Sequence, residues 1–335
     1  MTSVRIEPHV LPSEYAALKA GAGLVDRSSR ARWRFSGPKA ADTLTGLVTN
    51  DVVSLAPGQG QYAAMLTPKG KIVADVRILR MSDAIIVDVP TLAAPGFADV
   101  IKKYVNPRMT PYVDESASTC ALGVYGATAA LAVATVAGLA VETLTALDDY
   151  AHVVADIGTI LRVDWVRGFE IFAPVETRDS LMRRLIAAGA IPCSATTWDI
   201  VRVEAGMPEW GIDIDETTIP QEANFDDLGA ISYTKGCYTG QETVARIHFR
   251  GHVNRHLRGL TFASTRDEMP PERAELHDPT GKPVGDVRSV VVSPRLGIIA
   301  LAIVRREVAL GSFVTARAER ELAAAVTALP FPESP

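Results

Sequence analysis

An order of elements that occurs twice limits what this chain can fold into. Trp33-Arg34-Phe35-Ser36-Gly37 alternates large apolar and polar side chains, the period of a half-buried strand, and Pro38 follows at a natural first helical position. Residues 75–80 and 84–89 read as two strands joined by a turn at Ser82-Asp83, and 95–104 as a helix. The layout then returns. A strand at 121–125 precedes a helix of small residues at 128–137; strands at 160–165 and 169–173 flank a turn at Arg167-Gly168; a helix at 178–188 carries Leu181, Leu185 and Ile186 on one face. Each unit suits an antiparallel or mixed sheet covered by helices on one face, so the expected class is α+β with two βαββα-type subdomains.

Beyond residue 260 the texture changes. A stretch rich in charge and proline, 265–271, reads as a linker. Short β-rich runs follow at 275–277, 283–292, 297–304 and 312–316, broken by Pro279-Thr280-Gly281, Ser293-Pro294 and Gly311, as in a small all-β barrel. The tail from Ala328, with three prolines, is expected to be disordered. The expected division is therefore 1–115, 116–260 (interwoven, the chain returning to the first), a barrel at 261–327 and a tail at 328–335.

Composition narrows the class further. With 335 residues, 47% of them hydrophobic, the chain can build more than one core without disulfide or metal staples. A net charge of -5 argues against a protein made to coat nucleic acid, and no direct DNA binding is expected. Cys120, Cys193 and Cys237 are odd in number and form no C-x-x-C pair, which points to a reducing compartment and away from a self-held iron–sulfur cluster. Residues 1–7 show no secretory pattern, so a cytoplasmic protein is expected, and a monomer. The uncharged stretch 120–141 is long enough to span a bilayer but is built mostly of Ala, Gly, Thr and Val, so it reads as strand and helix, with no membrane segment.

Eight residues concentrate the chemistry. Lys235-Gly236-Cys237-Tyr238-Thr239-Gly240-Gln241-Glu242 holds a thiol, an ammonium, an amide, a carboxylate and two glycines. A nearby cation favours thiolate, and glycines let the backbone approach a ligand closely. Cys120 stands among apolar residues as a core cysteine does, and Cys193 reads as structural, which leaves Cys237 as the candidate reactive group with Lys235 beside it.

Other polar residues carry weaker signals. Glu204 lies in the apolar run 200–205; exposed, it is a solvated charge, but pointing inward it needs a donor, such as the paired N–H groups of a pterin or guanine edge. Asp51, after Asn50, and Asp75 sit at turn or strand ends, where carboxylates commonly cap or are solvated. The run 246–258 is basic. On an unbroken helix His248, His252 and His256 would share a face, but Gly251 interrupts, and the alternation of Ile247, Phe249 and Val253 reads as strand. No metal site is expected there; the run instead forms a basic wall suited to an anionic ligand such as a polyglutamate tail or an RNA phosphate. Walker, dinucleotide, zincin and serine-hydrolase motifs are absent.

The octapeptide resembles the signature of the YgfZ-type folate-binding proteins, relatives of the glycine cleavage T-protein (aminomethyltransferase) that assist iron–sulfur enzymes. Thr49-Asn50-Asp51-Val52 and residues 203–208, 219–224 and 231–233 resemble the segments that accompany it, and 285–289 and 300–304 resemble the C-terminal barrel, so the resemblance covers nearly the whole chain. It implies a three-lobed protein with a central channel holding tetrahydrofolate or a derivative. It implies that Glu204 binds the pterin, that activity depends on Lys235 and Cys237, with Asp75 as a further catalytic candidate, and that Asn50, Asp51, Trp198, Tyr233, Tyr238, Gln241, Glu242 and Arg246 belong to the cofactor site. The T-protein pattern itself is altered: Ala74 stands before Asp75 where two aspartates are usual, the run before Gly168-Phe169-Glu170 is shortened to Asp164-Trp165-Val166-Arg167, and the signature cysteine is foreign to T-proteins. The favoured function is a folate-dependent factor for assembly or repair of iron–sulfur clusters in client enzymes, tRNA-modifying ones included. The rivals are a one-carbon transferase or demethylase run by Asp75 and Glu204, and a folate-gated adaptor without chemistry.

Overall fold

A computed structural model describes residues 12–263, 268–317 and 320–332. Five strands form one antiparallel sheet in the order Gly60–Leu66, Ile72–Arg80, Ala84–Val89, Ala31–Ser36, Tyr112–Asp114. Six form a second, in the order Ile191–Pro192, Gly23–Asp26, Thr119–Tyr125, Gly168–Pro174, Gly158–Val163, His152–Ala155. The first sheet has two strands more than the expected three, Gly60–Leu66 and Tyr112–Asp114, and the second has three more, Gly23–Asp26, His152–Ala155 and Ile191–Pro192. Gly60–Leu66 is buried at every position from Tyr62 onward, so it shows no polar alternation. His152–Ala155 is only four residues long.

Strand periodicity places the two sheets back to back. Ala63, Met65, Ala74, Val76 and Ile78 pack under the helices Ala40–Thr45 and Ala94–Tyr104. The alternate residues Tyr62, Ala64, Leu66 and Leu79 join a different core shared with Ala121, Tyr125, Leu161, Val163 and Phe172 of the second sheet. The helices Ala129–Ala137 and Arg178–Ala187 cover the outer face of that second sheet. Leu181 and Leu185 are buried there, but Ile186 is 43% exposed, one position round the helix from the face assigned to it. Asp75 and Arg77 share the parity of Leu79 and therefore point between the sheets.

The two sheets do not divide at residue 115, because Gly23–Asp26 pairs with Thr119–Tyr125. The uncharged stretch 120–141 splits into a strand and a helix, and no helix among the described residues is long and apolar enough to cross a membrane. The closed barrel follows the order Arg255–Phe262, Gly297–Arg305, Pro283–Ser293, Glu275–His277, Phe313–Arg317, Glu321–Thr327. It begins at 255, before the expected boundary. Of the expected linker, 264–267 lie outside the described residues.

The expected disorder of the tail does not hold over 328–332. Phe331 is 3% exposed among Ile200, Val203, Leu257 and Leu301, and its N–H donates to the Glu204 carbonyl at 2.9 Å. Burying one phenylalanine, worth about 2–3 kcal/mol, offsets the ordering of a short proline-stiffened segment. Residues 333–335 lie outside the described residues.

Candidate cofactor cleft and signature loop

Asp75 is buried on the inter-sheet face. The Tyr62 hydroxyl donates to its Oδ2 at 2.9 Å, while Oδ1 has no partner. Burial pushes the carboxyl up to about 6, against the pull of Arg30 and with a further push from Glu209. It therefore changes charge near neutral pH, where a carboxylate can exchange a proton with a bound ligand.

The surrounding charges tie the sheets together. Arg77 forks onto Glu170 through two bonds of 2.7 Å and donates from Nε to Asp88 at 2.8 Å; Arg30 donates to the same Asp88 oxygen at 2.6 Å. The Tyr125 hydroxyl donates to Glu170 at 2.7 Å. Burial alone would raise the Glu170 carboxyl, but Arg77 outweighs it and holds the group ionised. Arg77 belongs to the first sheet and Glu170 to the second, so removing either leaves a buried charge uncompensated.

Asp75, Tyr62 and Arg77 border a cleft of about 30 Å³ with Arg27, Tyr150, Trp165 and Glu209. Tyr150 adopts φ 59°, a left-handed conformation costing a bulky residue about 1–2 kcal/mol. Its ring stacks on Tyr62 with centroids 6.1 Å apart, and Gly60 admits its carbonyl, which would lie 2.3 Å from any Cβ there. Behind the cleft Trp198 stacks on Tyr125 at 4.3 Å, with the Arg27 guanidinium 4.8 Å over its ring. The unpartnered Asp75 Oδ1 and Arg27 Nε, beside the rings of Tyr62, Tyr150 and Trp165, fit a flat heterocycle bearing N–H groups, such as a pterin. At about 30 Å³ the cleft has room for one or two waters, so the Trp165 and Met207–Glu209 walls must part to admit a ring. Arg77 could have been read from its strand spacing after Asp75; nothing local marks Tyr62, Tyr150 or Glu170.

The signature loop lies against the first unit. The Thr49 hydroxyl donates to the Ala230 carbonyl at 2.6 Å, and the Asn50 amide gives its two hydrogens to the carbonyls of Gly229 (2.9 Å) and Tyr62 (3.0 Å). Lys235 Nζ donates to three carbonyls, those of Thr45, Val48 (2.6 Å) and Asn50 (2.9 Å), and sits 4.6 Å over the Tyr238 ring. Burial draws the Lys235 pKa down to about 8, opposed by Asp51, and only the protonated amine has the three N–H donors to serve all three carbonyls at once. Lys235 thus anchors the loop, with its donors turned away from the role of activating Cys237 that adjacency suggested.

The remaining signature residues build the loop's other end. Tyr238 is buried, which pushes its phenol up to about 12, and its N–H donates to Gln241 Oε1 at 3.4 Å. Asp51 Oδ1 accepts from the Val53 N–H at 3.0 Å. Gly240, at φ 82°, precedes the helix Gln241–Arg250; Glu242 is exposed in its first turn, where a carboxylate favours the helix dipole, and Arg246 is exposed further along. Of the three cysteines Cys120 is buried, Cys193 part-buried and Cys237 exposed.

Three expectations are corrected. First, of the run 246–258 read as strand, 246–250 closes the helix Gln241–Arg250 and strand begins only at Arg255; Phe249 is 66% exposed, so the apolar alternation did not report burial. Second, Glu204 is buried but faces away from the Asp75 cleft. It accepts from Tyr15 at 2.7 Å and Ser293 at 2.6 Å, with Lys19 and Arg295 at 3.4 and 3.7 Å. Two residues along a helix point to different sides, so Arg202 borders the cleft and Glu204 the barrel. Third, the expected site residues do not converge. Asp75 lines the cleft and Trp198 stands behind it against Tyr125, while Tyr233 stacks on His248 at 3.6 Å beside another cavity. Cys237 borders neither.

Residues 7–231 match the GCVT N-terminal domain and 255–332 the glycine cleavage T-protein C-terminal barrel domain. With this fold and these matches, the chain belongs to the glycine cleavage T-protein family. It is 30% identical to an aminomethyltransferase of Nostoc sp. over 311 residues, 88% of this chain and 80% of that one. It is 29% identical to the tRNA-modifying protein YgfZ of Cronobacter sakazakii over 290 residues, 85% of each. The crystal structure of aminomethyltransferase T from Bartonella henselae shares the fold, with a TM-score of 0.86 and 23% identity over 96% of this chain and 89% of that one.

Proposed function

We propose that this protein binds tetrahydrofolate or a derivative at the Asp75 cleft and acts as a cytoplasmic accessory factor for iron–sulfur clusters in client enzymes, through Cys237. One observation carries the reading. Cys237 is exposed on a loop pinned by Thr49, Asn50 and Lys235, outside the cleft, where it can meet a second protein but not a ligand in the cleft. An exposed thiolate can ligate iron transiently while the client supplies the other ligands. The likeness to the tRNA-modifying protein YgfZ supports the same reading. In a deletion strain, Cys237→Ala protein is expected to bind folate normally yet fail to restore iron–sulfur enzyme activity. Full restoration by that variant would end the proposal.

A one-carbon transferase is the second reading, favoured by the Asp75 carboxyl poised near neutral pH and by relatives named aminomethyltransferase. Glu204 cannot share that work from where it lies. Formation of methylenetetrahydrofolate from an aminomethyl donor, lost in Asp75→Asn and kept in Cys237→Ala, would select this reading.

A further inference from the structure

A cavity of about 510 Å³ opens beside the signature helix, between Gln221 and Asp226, the end of Gln241–Arg250, and the turn after Gly297–Arg305. Its volume lies in the range of small-molecule sites, roughly 300–1,000 Å³. It is separate from the Asp75 cleft and does not depend on the function proposed above.

Gln221 carries the argument. The residue is 6% exposed and borders the cavity. Its Nε2 donates to the Val244 carbonyl at 2.9 Å and to the Tyr233 hydroxyl at 3.3 Å, which fixes the amide's orientation. Its Oε1 is left buried with no partner. A buried acceptor of this kind needs a donor, and the cavity is where one can come from.

The rest of the lining says what the donor belongs to. Asp226, whose Oδ1 takes the Tyr233 hydroxyl, adds a second acceptor. The His248 ring stacks on Tyr233 with an interplanar angle of 17°, a planar platform already in place, and His252 and His256 add two more imidazoles. Ile247 and Val253 supply apolar wall. Arg306 faces two carboxylates, Asp226 and Glu307, so the lining does not favour an anion. Among the described residues no three His, Cys, Asp or Glu side chains are placed to hold a metal ion, so the imidazoles serve as ring faces and hydrogen-bonding partners.

We propose that this cavity is a second ligand site for a neutral planar nitrogen heterocycle, a purine base or a pterin, whose ring N–H donates to Gln221 Oε1. The test is calorimetric titration of the full chain with guanosine, adenosine and unsubstituted pterin. At least one is expected to saturate, below about 1 mM, a site that persists in Asp75→Asn, with affinity for that site reduced about tenfold or more in Gln221→Leu and in His256→Leu. His256→Leu leaves the buried amide untouched and keeps the test valid should Gln221→Leu melt early. A response to nucleosides alone assigns the base and a response to pterin alone assigns the pterin. Absence of saturation by all three, or binding lost in Asp75→Asn and retained in His256→Leu, overturns the proposal.

Discussion

At the scale of single residues, Asp75 and Lys235 are the two ionisable groups whose environment most constrains behaviour. The Asp75 carboxyl holds its proton to about 6, above its unfolded value of 3.8. The stability linked to it is fully present below the unfolded value and is lost as pH rises through the folded one. By pH 8 the loss amounts to at most about 3 kcal/mol. Asp75→Asn is therefore expected to melt above the wild type at pH 8, with the gap closing by about pH 4, in a series of thermal melts. Lys235→Ala leaves three carbonyls unmatched and should cost about 1–3 kcal/mol, with new protease cleavage within 229–240. Lys235→Arg should not rescue it, because a planar fork cannot reach three converging carbonyls. The octapeptide marked both Lys235 and Cys237 as special. It did not reveal that Lys235 faces backbone oxygens, since a carbonyl leaves no trace in residue identity.

At the scale of elements, the start of the signature helix rests on Gly240. A Cβ there would lie 2.5 Å from the Thr67 carbonyl oxygen, and φ is 82°. Gly236, four residues earlier, has nothing within 4 Å of such an atom. Gly240→Ala should destabilise by roughly 2 kcal/mol or more while Gly236→Ala stays within about 0.5 kcal/mol, readable by urea unfolding. The end of the helix that follows read as strand because Ile247, Phe249 and Val253 alternate, although Phe249, edge-on to Tyr233 and His248, stays largely exposed. Alternation identifies a strand only when the apolar set is the buried set. In 33–36 it was, with Trp33 and Phe35 buried and Arg34 and Ser36 less so, whereas 84–89, read as a continuous apolar run, is buried at all six positions.

At the scale of the whole molecule, Glu204 gathers four segments: Tyr15 and Lys19 from the first described helix, Ser293 and Arg295 from the barrel, and the tail through its own carbonyl, all meeting the helix Ala195–Glu204. A chain ended after Ala328 loses Leu329 against Gly206 and the buried Phe331. It should lose about 3–5 kcal/mol, seen as a lower Tm and a lower urea midpoint.

Sequence by itself determined the twice-used unit, a C-terminal barrel, and the segment where reactive groups cluster. Those follow from periods of two and 3.6 residues and from glycine, all local. Only the tertiary structure decided which polar groups meet. Arg77 and Glu170 stand 93 residues apart, and Lys235 reaches carbonyls 185 to 190 residues away. It also separated Cys237 and Glu204 from the Asp75 cleft. A side chain's direction is set by its own turn of backbone, but its partner is set by how two sheets pack, and no local pattern records that.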